Sequence, residues 1–252
     1  ANDIFDTAAP TVSVLTGQTN GDWSVTQIST AGGVFLIGAN GADSVFSYDG
    51  TTWAAPSITG VSSATLSQVW LFKERLFFVE KGTQSVWYLP VQSIAGAAAE
   101  IPLGAVFRRG GEVLFGATWS LDSGSGLDDV CIFISSNGEI AVYEGTDPSS
   151  ASTWSLVGVY DIGKPIDKHA SFKAGGDLAI VTEDGIIPVS EALRKDRAAL
   201  QAVAITYPIE DAWKAVVQQS TGTRPITATL WQSGTLLLVS TPEKSSGLPV
   251  TF

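Results

Sequence analysis

Residues 70–90, WLFKERLFFVEKGTQSVWYLP, read as one complete β-hairpin. The apolar run Leu76-Phe77-Phe78-Val79 enters a turn at Glu80-Lys81-Gly82, and Ser85-Val86-Trp87-Tyr88-Leu89 returns until Pro90 removes the next backbone donor. The plan recurs: Val34-Phe35-Leu36-Ile37 passes through Asn40-Gly41 into Ser44-Val45-Phe46-Ser47-Tyr48, and Val130-Cys131-Ile132-Phe133-Ile134 through Asn137-Gly138 into Glu139-Ile140-Ala141-Val142-Tyr143. Two weaker copies follow. Leu178–Val181 turns at Asp184-Gly185 into Ile186–Val189, and Leu236–Val239 passes through Ser246-Gly247 into Leu248–Phe252. Glycine at such a turn supplies positive φ without a Cβ clash. The turn glycines Gly41, Gly82, Gly138 and Gly185 lie 41, 56 and 47 residues apart, a drifting period near that of four-stranded propeller blades. The expected fold is all-β: a β-propeller of four-stranded blades, six in number with one incomplete.

Working outward from that hairpin, the blades are expected at about 1–20 (partial), 21–60, 61–104, 105–163, 164–220 and 221–252 (partial), within a single propeller domain. Asn2-Asp3-Ile4-Phe5-Asp6 resembles a returning strand with no outgoing strand before it. With no methionine in 252 residues, the chain reads as a segment of a longer polypeptide. Gly21–Ile28 opens the first full blade, and Tyr48-Asp49-Gly50-Thr51-Thr52-Trp53 closes it with a turn similar to the Asp box of sialidase-like propellers, one residue short. Asp49 is expected to bond the backbone of its own turn, and Trp53 to pack between blades. Strands are predicted at 34–37, 76–80, 85–89, 130–135, 139–143 and 178–182, with further strands over 112–119 and 154–160. Punctuation then changes. Ile209, Trp213, Val216 and Val217 form an apolar stripe at helical spacing, with Pro208 before it and Glu210 and Asp211 in the first turn. This predicts the longest helix over 209–219 and a shorter one near 191–203, a helical insertion near 191–219.

Composition narrows the function. Hydrophobic residues make up 44% and charged residues 15%, enough apolar surface for a core, and no run of about 18 apolar residues is present to cross a bilayer as a helix. The single cysteine, Cys131, sits in an apolar strand and reads as core. The single histidine, His169, rules out a multi-histidine metal site, and no G-x-S-x-G, P-loop, G-x-G-x-x-G or C-x-x-C occurs. Twenty-five acidic residues keep a two-carboxylate glycosidase in view, but spacing cannot pair carboxylates across blades. No catalytic, cofactor-binding or metal-ligating residue is therefore expected. Two loops stand out as interface or channel-lining candidates. Arg108-Arg109 is a close pair of arginines in an acidic chain, and Asp122, Asp128 and Asp129 flank a Ser/Gly-rich insertion without the 1,3,5 spacing of a calcium loop.

Leu71–Gly82, Trp87–Pro90, Phe107-Arg108-Arg109-Gly110-Gly111 and Val142-Tyr143-Glu144-Gly145-Thr146-Asp147-Pro148 together resemble the tail hub or nozzle proteins of short-tailed bacteriophages, and the likeness covers most of residues 20–193. The resemblance implies a non-enzymatic virion component, a propeller-bearing subunit that rings with copies of itself, six by the family pattern. It implies neighbouring tail and adaptor proteins as partners, and a channel through which genomic DNA passes without tight binding. The net charge of −11 suits such a wall, because carboxylates facing phosphates deny the counterion-release binding that basic side chains give. The other expectation kept is a carbohydrate-binding or sialidase-like propeller, which would set exposed tryptophans beside carboxylates.

Overall fold

The structure, a computed structural model, describes residues 2–5, 7, 11–122, 127–219, 226–231, 234 and 236–241. The fold is all-β, built of many small antiparallel sheets. The chain divides into two compact units, one of residues 1–106, 111–118 and 145–155, the other of 107–110, 119–144 and 156–252.

In the first unit, β1 (Asn2–Phe5) pairs antiparallel with β2 (Ser13–Gln18). Strands β3 (Ser24–Thr30), β4 (Gly33–Ala39), β5 (Phe46–Tyr48) and β6 (Trp53–Ala54) follow as a four-stranded meander in chain order. A short strand β7 (Ile58–Thr59) leads to β8 (Leu66–Phe72), β9 (Arg75–Glu80) and β10 (Ser85–Tyr88). Strand β11 (Gly96–Ala97) runs parallel to β7, and β12 (Ala99–Pro102) completes the sheet β8-β9-β10-β12. Ile28, Ile37, Val45, Leu66, Val69, Leu76, Phe78 and Leu89, drawn from both sheets, form one buried cluster. The first strands of the two sheets lie side by side, and Ser24 Oγ accepts the Val69 N–H at 3.2 Å.

The second unit holds most of the sheet β13 (Val113–Asp122), β14 (Leu127–Ser135), β15 (Glu139–Gly145), β16 (Trp154–Asp161). Cys131 faces Tyr143 and Ile134 faces Ile140 in the β14–β15 ladder. Every residue from Val130 to Ser135 and from Glu139 to Tyr143 is buried, so these strands lack the polar-out alternation of a sheet with one wet face. Strands β17 (Ser171–Ala174), β18 (Asp177–Thr182) and β19 (Gly185–Pro188) form a three-stranded sheet. Its outer edge is met by Ile205, whose N–H donates to the Ile186 carbonyl at 2.9 Å, and by Thr206, whose Oγ1 accepts the Ile186 N–H at 3.1 Å. Around this edge lie α1 (Val189–Ala192), α2 (Arg197–Leu200) and α3 (Glu210–Gln219), the last docked through Trp213, whose Nε1 donates to the Thr182 carbonyl at 3.1 Å. Strands β20 (Thr227–Trp231) and β21 (Leu236–Ser240) pair antiparallel, and β20 lies beside β17.

Each strand window expected from sequence falls on a strand, β10 stopping at Tyr88, and α3 is the longest helix among the described residues. The shorter helix expected near 191–203 is split into α1 and α2. Two features differ from expectation. Trp53 stacks within its own sheet, 4.5 Å from the Tyr48 ring and 5.1 Å from Phe46, because it stands directly opposite Tyr48 in the β5–β6 ladder. The sheet around Gly185 has three strands rather than four, its last place taken by the helical segment. The returning strand expected at 248–252, with its turn at Ser246-Gly247, lies outside the described residues.

The turn glycines carry a second constraint that φ alone does not convey. Gly41 has φ +70°, and a Cβ there would lie 2.8 Å from Ser67 Cβ, at the start of the next sheet. A Cβ on Gly138 (φ +86°) would lie 2.5 Å from the Gly163 backbone. Both turns thus need glycine for its conformation and for its lack of volume.

Candidate functional site

The Arg108-Arg109 loop is built around a buried carboxylate. Glu139, 4% exposed in the apolar strand β15, accepts the Arg109 N–H at 2.8 Å on one oxygen and the Arg108 N–H at 3.2 Å on the other. Asn137 Nδ2 donates to the Arg109 carbonyl at 2.8 Å. The loop is thereby clipped to the tip of the β14–β15 hairpin by three hydrogen bonds, two of them charge-assisted. The Arg109 guanidinium is engaged by Asp161 at the end of β16, Nη1 donating to Oδ1 at 2.9 Å. Both side chains are exposed, Arg109 to 45% even in its ion pair. The structure therefore separates two arginines that the sequence places together, since one serves the loop's own anchorage. The signal that sequence reading passed over is Glu139 itself, a lone carboxylate between Gly138 and Ile140 in a buried strand.

Of the three insertion carboxylates, Asp129 accepts the Ser120 hydroxyl across β13 and β14 at 2.6 Å. The side chains of Asp122 and Asp128 lie outside the described residues. Among the described residues, no group of three or more His, Cys, Asp or Glu side chains is placed to hold a metal ion.

Elsewhere, carboxylates fasten loops. Asp43 accepts the Thr19 N–H at 3.0 Å, the Thr19 hydroxyl at 2.8 Å, the Asn20 N–H at 3.2 Å and Asn40 Nδ2 at 2.7 Å. Burial opposes its ionisation, yet the bonds from Asn40, Thr19 and Asn20 outweigh that cost and bring its pKa down to about 2. Asn40, 1% exposed, completes the knot by donating to the Asn20 carbonyl at 2.8 Å and accepting the Asp43 N–H at 2.8 Å. Asp49 accepts the Thr52 and Thr51 N–H groups at 2.7 and 2.8 Å, bonds that lower its pKa and make it the turn residue expected. Glu112 accepts the Gly82 N–H at 2.8 Å, and Glu80 the Trp87 indole N–H at 2.9 Å. Chemically these are acceptors already occupied by amides and hydroxyls, an arrangement that rigidifies loops.

Of eight tryptophans, Trp231 alone is exposed, at 54%. A small apolar cavity of about 30 Å³ lies between α3 and β21, lined by Thr206, Trp213, Val216 and Val239 among others. It is of the size of a single water and offers almost no polar surface to hold one. No helix among the described residues is long and apolar enough to cross a membrane. Compared with known proteins, the chain matches no protein-family model and no curated protein.

Proposed function

We propose that the sheets are blades of a β-propeller, and that the chain is a non-enzymatic structural module of a virion. In this reading it belongs to the tail hub or nozzle of a short-tailed bacteriophage, assembled as a six-membered ring with copies of itself beside adaptor and tail proteins. The observation that carries the propeller is the repeated adjacency of first strands. β3 lies beside β8 and β17 beside β20, while the Gln68 amide of β8 pairs with both backbone groups of Gly116 in β13, each bond 3.0 Å. Meanders that meet first strand to first strand are set radially, with those strands innermost, and each sheet then has both faces covered, as the continuous burial of β14 and β15 requires.

The structural role is supported by how the carboxylates are used. Asp43, Asp49, Glu80, Glu112 and Glu139 are spent on holding loops, and the tryptophans other than Trp231 are packed rather than presented. A lectin or glycosidase would keep such groups available to sugar. Acidic side chains not used in this way then line the channel and leave duplex DNA unbound. The test is electron microscopy of the purified protein together with a duplex-DNA binding titration at moderate salt. Closed rings of propellers without measurable DNA affinity are expected. A monomer at every concentration that binds glycans would overturn the reading in favour of the carbohydrate-binding one.

A further inference from the structure

The outer strands of the sheets differ in how their open edges are protected. β6 has two residues, β12 carries Glu100 and Pro102 within four, and β19 ends in Pro188 and receives the Ile205 N–H on its outer side. Short length, charge, proline and a covering segment are the ordinary means of keeping a sheet edge from pairing with another chain. Among the described residues, β16 has none of them. Trp154-Ser155-Leu156-Val157-Gly158-Val159-Tyr160-Asp161 is eight residues long, contains no proline and no charge before its last residue, and is the final strand in the order β13-β14-β15-β16. Leu156 and Val157, whose side chains leave opposite faces of the strand, are 44% and 48% exposed.

We propose that β16 pairs antiparallel with β16 of a second copy of this chain, about a twofold axis at Gly158. The strand is self-complementary in that register. Val157 stands opposite Val159 of the other copy, Leu156 opposite Tyr160, and Ser155 opposite Asp161, so that a hydroxyl meets a carboxylate and no like charges face one another. The one charged residue, Asp161, is already neutralised by Arg109 within its own copy. Gly158 brings no side chain of its own to the axis, and the Tyr160 ring of the same copy lies over it, 2.8 Å from where a Cβ would stand. Two strands of this length cover less than the roughly 1,000 Å² that a stable interface clears, so the dimer is reversible and forms in the micromolar range. The contact is isologous and goes beyond the ring proposed above, whose contacts are head-to-tail.

Sedimentation velocity across the micromolar range, with cysteine cross-linking under mild oxidation, tests this directly. Directly opposed residues of an antiparallel pair have Cα atoms about 4.5–5.5 Å apart, within reach of a disulfide. The native Cys131 is buried and does not interfere. Gly158→Cys is expected to yield a covalent dimer that Ser152→Cys, in the exposed loop before β16, does not. Val157→Lys is expected to weaken association at least tenfold with no change in Tm, since Val157 is solvent-facing. Should Gly158→Cys fail to fold, the double variant Leu156→Cys, Tyr160→Cys reports the same register. Equal cross-linking of Gly158→Cys and Ser152→Cys, association indifferent to Val157→Lys, or a monomer at every concentration overturns the proposal. Rings without a twofold overturn it too while leaving the head-to-tail reading intact.

Discussion

The sheet β8-β9-β10-β12 and the sheet β17-β18-β19 begin from the same sequence plan, an apolar strand, a glycine turn and a returning strand, and finish differently. In the first, β12 supplies a fourth strand in register, Val86 opposite Ile101 and Trp87 opposite Glu100. In the second, one backbone bond from Ile205 and the Thr206 hydroxyl stand in for a fourth strand, and Trp213 of α3 holds the helical segment against β18. A sheet edge needs its donors and acceptors satisfied and its apolar face covered, and a strand is only one way of doing both. The difference shows at the turn glycines. Gly82 stands in open space, whereas a Cβ on Gly185 would lie 2.7 Å from Thr206 Oγ1 and 2.9 Å from Ala204 Cβ.

Trp213→Ala is the strongest way to break the second arrangement, because it removes a buried indole and its hydrogen bond to the Thr182 carbonyl. A loss of about 3–5 kcal/mol is expected by denaturant titration, as for other buried aromatic truncations. Next, Gly185→Ala should cost more than Gly82→Ala. Both positions have positive φ, worth about 1 kcal/mol, but only Gly185 adds a collision with the substitute strand. Equal costs would mean that the 204–206 segment does not press on the turn in solution.

Asp43 gives a pH test in the sheet that precedes β8. Its folded pKa of about 2 lies below the ordinary value of 3.8, so its contribution is full above that value and is lost as pH falls toward 2. Denaturant midpoints should therefore drop from pH 5 to pH 2.5 in the parent by more than in Asp43→Asn, and parallel curves would count against the knot. The smallest effect is a gain. Lys73 and Glu74, joining β8 to β9, hold φ of +43° and +60°, a conformation that suits Asn-Gly. Lys73→Asn should raise stability by up to about 1 kcal/mol, measured as a shift in denaturant midpoint.

Much of the architecture was legible because its determinants are local. Leu76–Val79 and Val130–Ile134 are apolar runs bounded by glycine turns, and Ile209, Trp213 and Val216 mark a helix face whatever surrounds them. The loops were less legible. The arginine pair looked like one feature, yet Glu139 and Asp161, 30 residues or more from the loop in sequence, give its members different tasks. Trp53 looked like an inter-blade residue, yet its ladder pairing with Tyr48 sets the two rings against each other.

By itself the sequence determined the strands, their turns and the place of the helices, since φ preference, side-chain alternation and helical periodicity act within a few residues. Tertiary structure decided which carboxylates are spent on anchoring loops, which glycines are hemmed in by the next sheet, and which strand ends each sheet among the described residues. Each of those depends on groups brought together from distant parts of the chain, and the pattern of any single stretch carries no information about what will lie against it.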